Sequence, residues 1–320
     1  MRTIRKGDKD YELYESFQTH VIGGVRIKMP PPDPIPEMPF VGREGIIEDI
    51  RIGWYPVLES KYFNVFLNGP TGTGKNALVY QLAKMLKKDL YIMRIYAGSL
   101  ADDIVCIARF EDDGKNSITY VASPLTAAVH LGGICFFDEI GKVPPDLLVP
   151  LHSLLDDCKT ITSTQTALRL HAHKDFRFCA AFTDEDKVQK EIQERDALTF
   201  DLDYPAGKEL EAVLKAHYPI DGDQWTRLFI LEFKDRDIST RNAVNILRFA
   251  RNHYARGKKT ATIIDEAMMK RSLEVAYSYV VPRNGNCDVV PEEPPENLKN
   301  SIKDQIYDIF PSFSKKSGVH

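Results

Sequence analysis

The stretch Gly69–Asn76 reads GPTGTGKN and follows the apolar run YFNVFLN (Tyr62–Asn68) directly. After it, NALVYQLAKMLKK places Ala77, Leu78, Leu82 and Leu86 near one helical face and ends in lysines. A strand, a glycine loop and a helix in that order leave few folds open. Backbone N–H groups of such a loop surround phosphates at the positive end of the helix dipole. Gly69, Pro70, Thr71, Gly72, Thr73, Gly74, Lys75, Asn76 and Ala77 therefore form the candidate cradle, with Lys75 reaching the terminal phosphates. The pattern G-x-x-x-x-G-K normally ends in Ser or Thr, whose hydroxyl holds magnesium, but here Asn76 takes that place. A carboxamide oxygen is an acceptable hard ligand on a longer arm, and magnesium tolerates little error around about 2.1 Å. The substitution predicts weakened magnesium binding, retained nucleotide binding and slow turnover.

The run ICFFDE supplies a second part. Four apolar residues of a buried strand deliver two carboxylates at its carboxyl end, where ligands of open α/β sheets bind. Asp138 is the candidate magnesium ligand, with Asn76, and Glu139 the base that orients and deprotonates water. LYIMRIY, GGICFFDEI, DFRFCAAFT and LTFDLDYP read as further strands separated by helical stretches, which predicts a parallel sheet covered on both faces.

Upstream, HVIGGVRIK predicts a small hairpin, and MPPPDPIPEMP an extended spacer with a boundary near residue 39. After Pro205 the pattern is continuously helical and predicts a separate four-helix domain over about 206–281. A proline-rich tail follows. Beyond it Leu298, Ile302, Ile306, Ile309 and Phe310 fall on one helical face, to pack on the same protomer or on a neighbour.

With 320 residues, 43% hydrophobic and 28% charged, the chain is long enough for two globular domains. A net charge of −4 argues against a dedicated nucleic-acid binder. Five cysteines without paired short spacings give neither a disulfide framework nor a metal site, and Cys135 and Cys179 read as buried thiols. His171 and His173 lack further ligands for a metal. Basic residues near the start precede no apolar core of a secretory signal, and no run of 18 apolar residues suggests a membrane span, so the expected location is cytoplasmic.

The run SPLTAAVHLGGICFFDEIGKVPPDLLVPLHSLLDD, followed by LHAHKDFRFCAAFT, resembles the MoxR-like branch of the AAA+ ATPases, with Ser123 in place of that family's first glycine. The resemblance spans roughly residues 40–281. It implies an α/β P-loop AAA+ core with helices on both faces over 40–205, followed by an all-α lid over 206–281. Two β-hairpin insertions are implied at about 102–121 and 159–170, between an N-terminal hairpin and linker (1–39) and a C-terminal linker and amphipathic helix (282–320). It also implies Thr183 as the sensor 1 residue and Arg241 as the sensor 2 arginine. Arg195 lies near the arginine-finger position, one residue out of register, with Arg177 and Lys190 as competitors.

Function follows from the same resemblance. It implies ATP and Mg2+ as cofactors, a ring, expected to be a hexamer of this chain, and remodelling or activation of a protein partner with a von Willebrand factor A domain. Two alternatives stay open: a nucleotide-gated scaffold with little hydrolysis, which Asn76 favours, and a nucleic-acid motor, which the acidic balance disfavours. Sequence alone leaves ATP and GTP undecided.

Overall fold

The structure, a computed structural model, describes residues 17–281 apart from 59–60, 96–98, 112–116, 184–187, 189, 220–221, 234–235, 237 and 258–265. The expected C-terminal amphipathic helix and its proline-rich linker lie outside the described residues.

A hairpin, β1 (Gln18–Ile22) and β2 (Val25–Met29), opens the described chain, and an extended proline segment leads to α1 (Glu44–Trp54). Next come β3 (Asn64–Asn68), the glycine loop, α2 (Lys75–Leu86) and β4 (Leu90–Met93). The hairpin β5 (Cys106–Glu111) and β6 (Ser117–Ala122) precedes α3 (Pro124–Leu131) and β7 (Ile134–Phe137). Then follow α4 (Val149–Leu155), the hairpin β8 (Thr160–Ser163) and β9 (Leu168–His171), and β10 (Arg177–Phe182). A short α5 (Lys190–Gln193) leads to β11 (Ala197–Asp201). The last described elements are helices α6 (Lys208–His217), α7 (Gly222–Phe233), α8 (Thr240–Gly257) and α9 (Glu266–Val280).

The central sheet has the order β11-β3-β10-β7-β4 and every pairing in it is parallel. Successive side chains of a strand point to opposite faces, and both faces here are covered, which is why the strands read as unbroken apolar runs. Phe66, Phe137, Phe178 and Phe182 face a cluster with Leu125, Val129 and Leu151. Val65, Leu67, Phe136 and Cys179 face the opposite cluster, with Ile50, Trp54, Leu78 and Leu82 from α1 and α2. Each such side chain contributes roughly 1.5–3 kcal/mol by leaving water. The parallel core with helices on both faces, followed by helices, is the fold class the sequence predicts.

A second sheet was not legible in the sequence. Its order is β1-β2-β6-β5, so the N-terminal hairpin joins the later β5/β6 hairpin through a parallel contact pairing Ile27 with Tyr120 and Lys28 with Val121. Ile27 and Met29 are buried against the first core cluster. The β8/β9 turn is tied to the same sheet, since Gln165 Oε1 accepts from Ala108 N at 2.7 Å and Thr164 donates to Asp102.

Arg177, a competitor for a role at a neighbouring protomer, is buried at the start of β10 with 5% exposure. Its Nε donates to Trp54 O at 2.8 Å, Nη1 donates to Lys174 O and Phe176 O, and the guanidinium lies 4.6 and 4.3 Å from the Tyr55 and Tyr62 ring centres. Burial lowers its pKa. The side chain is enclosed by its own protomer and does not reach a neighbour. Replacing Arg177 by Ala leaves the Trp54 carbonyl unpaired and is expected to cost about 2–4 kcal/mol in urea unfolding. A loss below about 0.5 kcal/mol, typical of a surface substitution, contradicts this reading.

Candidate functional site

Gly69, at the end of β3, has φ 146°, and a Cβ there would lie 2.2 Å from the carbonyl oxygen of Leu202. That oxygen belongs to the residue after β11, held alongside by the Leu202 N–H donating to Asn68 O at 2.8 Å. No side chain fits between the two backbones. Gly72 has φ 90°, and its Cβ would come within 3.0 Å of Ser239 and 3.5 Å of the Arg241 side chain. The loop is also tied by Thr73 Oγ1 donating to Pro70 O at 3.0 Å and by Tyr204 Oη donating to Thr71 O at 3.1 Å.

Lys75 is the first residue of α2, and its Nζ donates to the carbonyls of Gly69 and Pro70. The ammonium is buried with 8% exposure. Burial lowers its pKa, Asp138 and Glu139 oppose that shift, and Arg241 adds to it. The arrangement is an internal cation resting on neutral carbonyls, with no anion of its own within hydrogen-bond reach among the described residues.

Asn76 Nδ2 donates to Asp138 Oδ2 at 3.0 Å. Seen this way the carboxamide stands as a donor to the carboxylate, and its oxygen faces the cation position only after the amide turns over. The two oxygens then available, one carboxylate and one carbonyl, are the hard donors that magnesium accepts. Glu139 adopts a left-handed backbone, φ 59° and ψ 44°, and its Oε2 accepts from Lys142 Nζ at 2.7 Å. Thr183 is exposed one residue beyond β10, and Arg241 is exposed at the second position of α8.

These residues meet in one cleft of about 480 Å³, lined by Thr71–Ala77, Asp138, Glu139, Thr183 and Arg241. Gly69 and Pro70 stand behind the cradle and do not line it. Arg195 is apart from the cleft, at the amino end of β11, with Nη1 donating to His152 O and Asp156 Oδ2, both at 3.3 Å. Lys190 is exposed on α5.

The sequence reading missed the far wall. Met38, Phe40, Val41, Val213, His217 and Val244 also line the cleft, together with an Arg43–Glu209 ion pair at 3.2 Å. No single run of the sequence marks them, since they come from the linker, α6 and α8.

Fold and site together define a P-loop nucleotide-binding protein. Residues 64–195 match the AAA domain of the dynein-related subfamily. Among curated relatives, Paracoccus denitrificans NorQ is 28% identical over 217 residues, covering 64% of this chain and 78% of NorQ. CbbQ of Hydrogenophilus thermoluteolus is 31% identical over 166 residues, half of this chain and 61% of CbbQ. The denitrification regulatory protein NirQ of Pseudomonas aeruginosa is 29% identical over 47% of this chain and 58% of its own. A Thermotoga maritima RuvB structure superposes with a TM-score of 0.55 at 18% identity, covering 74% of this chain and 71% of RuvB, which speaks to the fold alone. The chain carries an AAA+ domain, and its resemblance to the MoxR-like AAA+ ATPases is borne out by these relatives. No helix among the described residues is long and apolar enough to cross a membrane.

Two outcomes are expected. Gly69→Ala forces a Cβ into the Leu202 carbonyl and should lower the melting temperature by several degrees; an unchanged melting curve contradicts the close approach. If the Lys75 ammonium holds phosphate, as the loop pattern leads one to expect, affinity for a nucleotide should fall as pH rises through a pKa below the ordinary 10.5. Titration of affinity against pH checks this, and a flat profile up to that value contradicts it.

Proposed function

We propose that this chain is a magnesium-dependent ATP hydrolase that acts as a ring, a hexamer of this chain, and activates or remodels a protein partner. The observation that carries the reading is the single cleft holding Lys75, Asp138, Glu139, Thr183 and Arg241 around a glycine cradle, with an apolar wall beyond it. When bound, the magnesium nucleotide supplies a γ-phosphate open to attack by water.

In this reading Lys75 leaves the Gly69 and Pro70 carbonyls to neutralise phosphate. Asp138 and the turned Asn76 amide hold the cation. Glu139 releases Lys142 and takes a proton from water at its carboxylate. Thr183 orients that water by hydrogen bonding, and Arg241 balances negative charge from the first turn of α8. An arginine there opposes the dipole of its own helix, and an anionic ligand relieves that cost. Arg195 cannot serve its own cleft from the amino end of β11, so it serves a neighbour's by leaving Asp156, and hydrolysis then requires assembly.

We assign residues 40–205 as the core, 206–281 as the lid, and the hairpins β5/β6 and β8/β9 as the partner-facing insertions. A regulatory role accords with the name of its relative NirQ, a denitrification regulatory protein. A partner with a von Willebrand factor A domain remains the specific proposal. A second reading, a nucleotide-gated scaffold with little turnover, is favoured by one observation, the Asn76–Asp138 hydrogen bond that stands where a cation ligand is needed.

The test is steady-state hydrolysis of ATP and GTP against magnesium for the native chain, Glu139→Gln, Arg195→Ala and an equal mixture of the two variants, at concentrations that permit assembly. Turnover dependent on millimolar magnesium, lowered about 10²–10⁴-fold in each variant and partly regained in the mixture, is the expected result. ATP binding without turnover in the native chain replaces the hydrolase with the scaffold.

A further inference from the structure

The segment Pro30–Pro39 reads PPPDPIPEMP, and between Pro30 and Pro34 only Asp33 has a backbone N–H. Burial alternates along it: Pro31, Asp33 and Ile35 are partly buried while Pro32, Pro34 and Pro36 are exposed, so the chain is extended with one face against the protein. That face meets β4, an edge of the central sheet. The Asp33 N–H donates to Leu90 O at 2.7 Å, and an Asp33 carboxylate oxygen accepts from Ile92 N at 2.7 Å.

Asp33 thus occupies the place of one residue of a parallel neighbouring strand. Its side chain supplies the acceptor that a backbone carbonyl supplies in an ordinary ladder. The prolines on either side cannot continue the pairing, so the attachment is a single clip.

Both flanks of the clip are anchored. Upstream, β2 pairs with β6 and buries Ile27 and Met29. Downstream, Ile35 and Phe40 pack on the α1/α2 side of the sheet, and Met38, Pro39, Phe40 and Val41 form a wall of the cleft. Five residues of extended proline-rich chain cover about 15 Å, so the clip fixes where that wall stands without touching the cleft itself.

We infer that Asp33 is a positioning residue for nucleotide binding: its clip on the edge of β4 sets the Met38–Val41 wall against the part of the ligand that lies beyond the phosphates. This rests on the nucleotide reading above. The phosphate cradle, built on β3 and α2, takes none of its own residues from the strap. Loss of the clip therefore affects a nucleotide but not a bare phosphate chain.

The experiment compares binding of ATP and of inorganic tripolyphosphate to the full chain by calorimetry, for the native protein, Asp33→Ala and Asp33→Asn. Asp33→Ala should weaken ATP about tenfold while tripolyphosphate stays within about twofold, and Asp33→Asn, which keeps an acceptor oxygen, should lie near the native protein. Amide exchange at Ile92 should quicken in Asp33→Ala with exchange in α2 unchanged. If the alanine variant does not fold, Asp33→Ser, whose hydroxyl falls short of the Ile92 N–H, takes its place. Equal weakening of both ligands reduces Asp33 to general stability and overturns the inference, as does unaltered ATP affinity. A native chain that does not bind ATP defeats the nucleotide reading and this inference with it, whereas native binding unmoved by the substitution defeats this inference alone.

Discussion

Parallel strands point all their carboxyl ends one way, so pairing β3 with β10 and β10 with β7 brings the residues that follow those strands to one edge of the sheet. Gly69, Thr183 and Asp138 are far apart in sequence and meet only because of this pairing. The crossover from β3 through α2 to β4 skips two positions, later filled by β10 and β7, which opens the crevice where α/β sheets hold ligands. Close approach of the Leu202 carbonyl to Gly69 shows how tightly β11 is drawn against the same edge. The glycine is a packing requirement of the sheet as much as a feature of the loop.

Within that frame the Asn76–Asp138 contact bears most directly on the proposed cation site. A hydrogen bond to a charged group contributes about 1.5–3 kcal/mol, and holding magnesium through the Asn76 oxygen requires giving that bond up. Lys75 faces a similar exchange, since its ammonium already has carbonyl partners. The arrangement is internally satisfied, and a ligand must replace those bonds with stronger ones. Arg195 follows the same pattern at the opposite end of β11, paired with Asp156.

Much of the core was legible because burial on both faces writes itself as unbroken apolar runs: ICFF is β7 and FCAAF lies within β10. Helices α6 to α9 were legible from their periodicity, and Thr71–Ala77, Asp138, Glu139, Thr183 and Arg241 do line one cleft. What escaped the sequence was long-range pairing. Nothing in VRIKM announces that it adds in parallel to SITYVA ninety residues later. The clip at Asp33 escaped for the same reason, since an aspartate among prolines looks like a solvated spacer until the edge of β4 is placed beside it. Arg177 looked like a candidate for a neighbour's site because sequence does not report that Tyr55 and Tyr62 enclose it. The far wall of the cleft escaped because apolar residues from the linker, α6 and α8 share no local pattern.

The most direct measurement is calorimetric binding of ATP with and without magnesium, for the native chain and for Asn76→Thr. The account predicts that the native chain binds ATP in both conditions with affinities within about threefold of each other, because the cradle and Lys75 hold the phosphates while Asn76 adds little cation affinity. It predicts that Asn76→Thr makes binding clearly tighter with magnesium than without. Absence of ATP binding in either condition, with the protein folded, contradicts the assignment of this cleft.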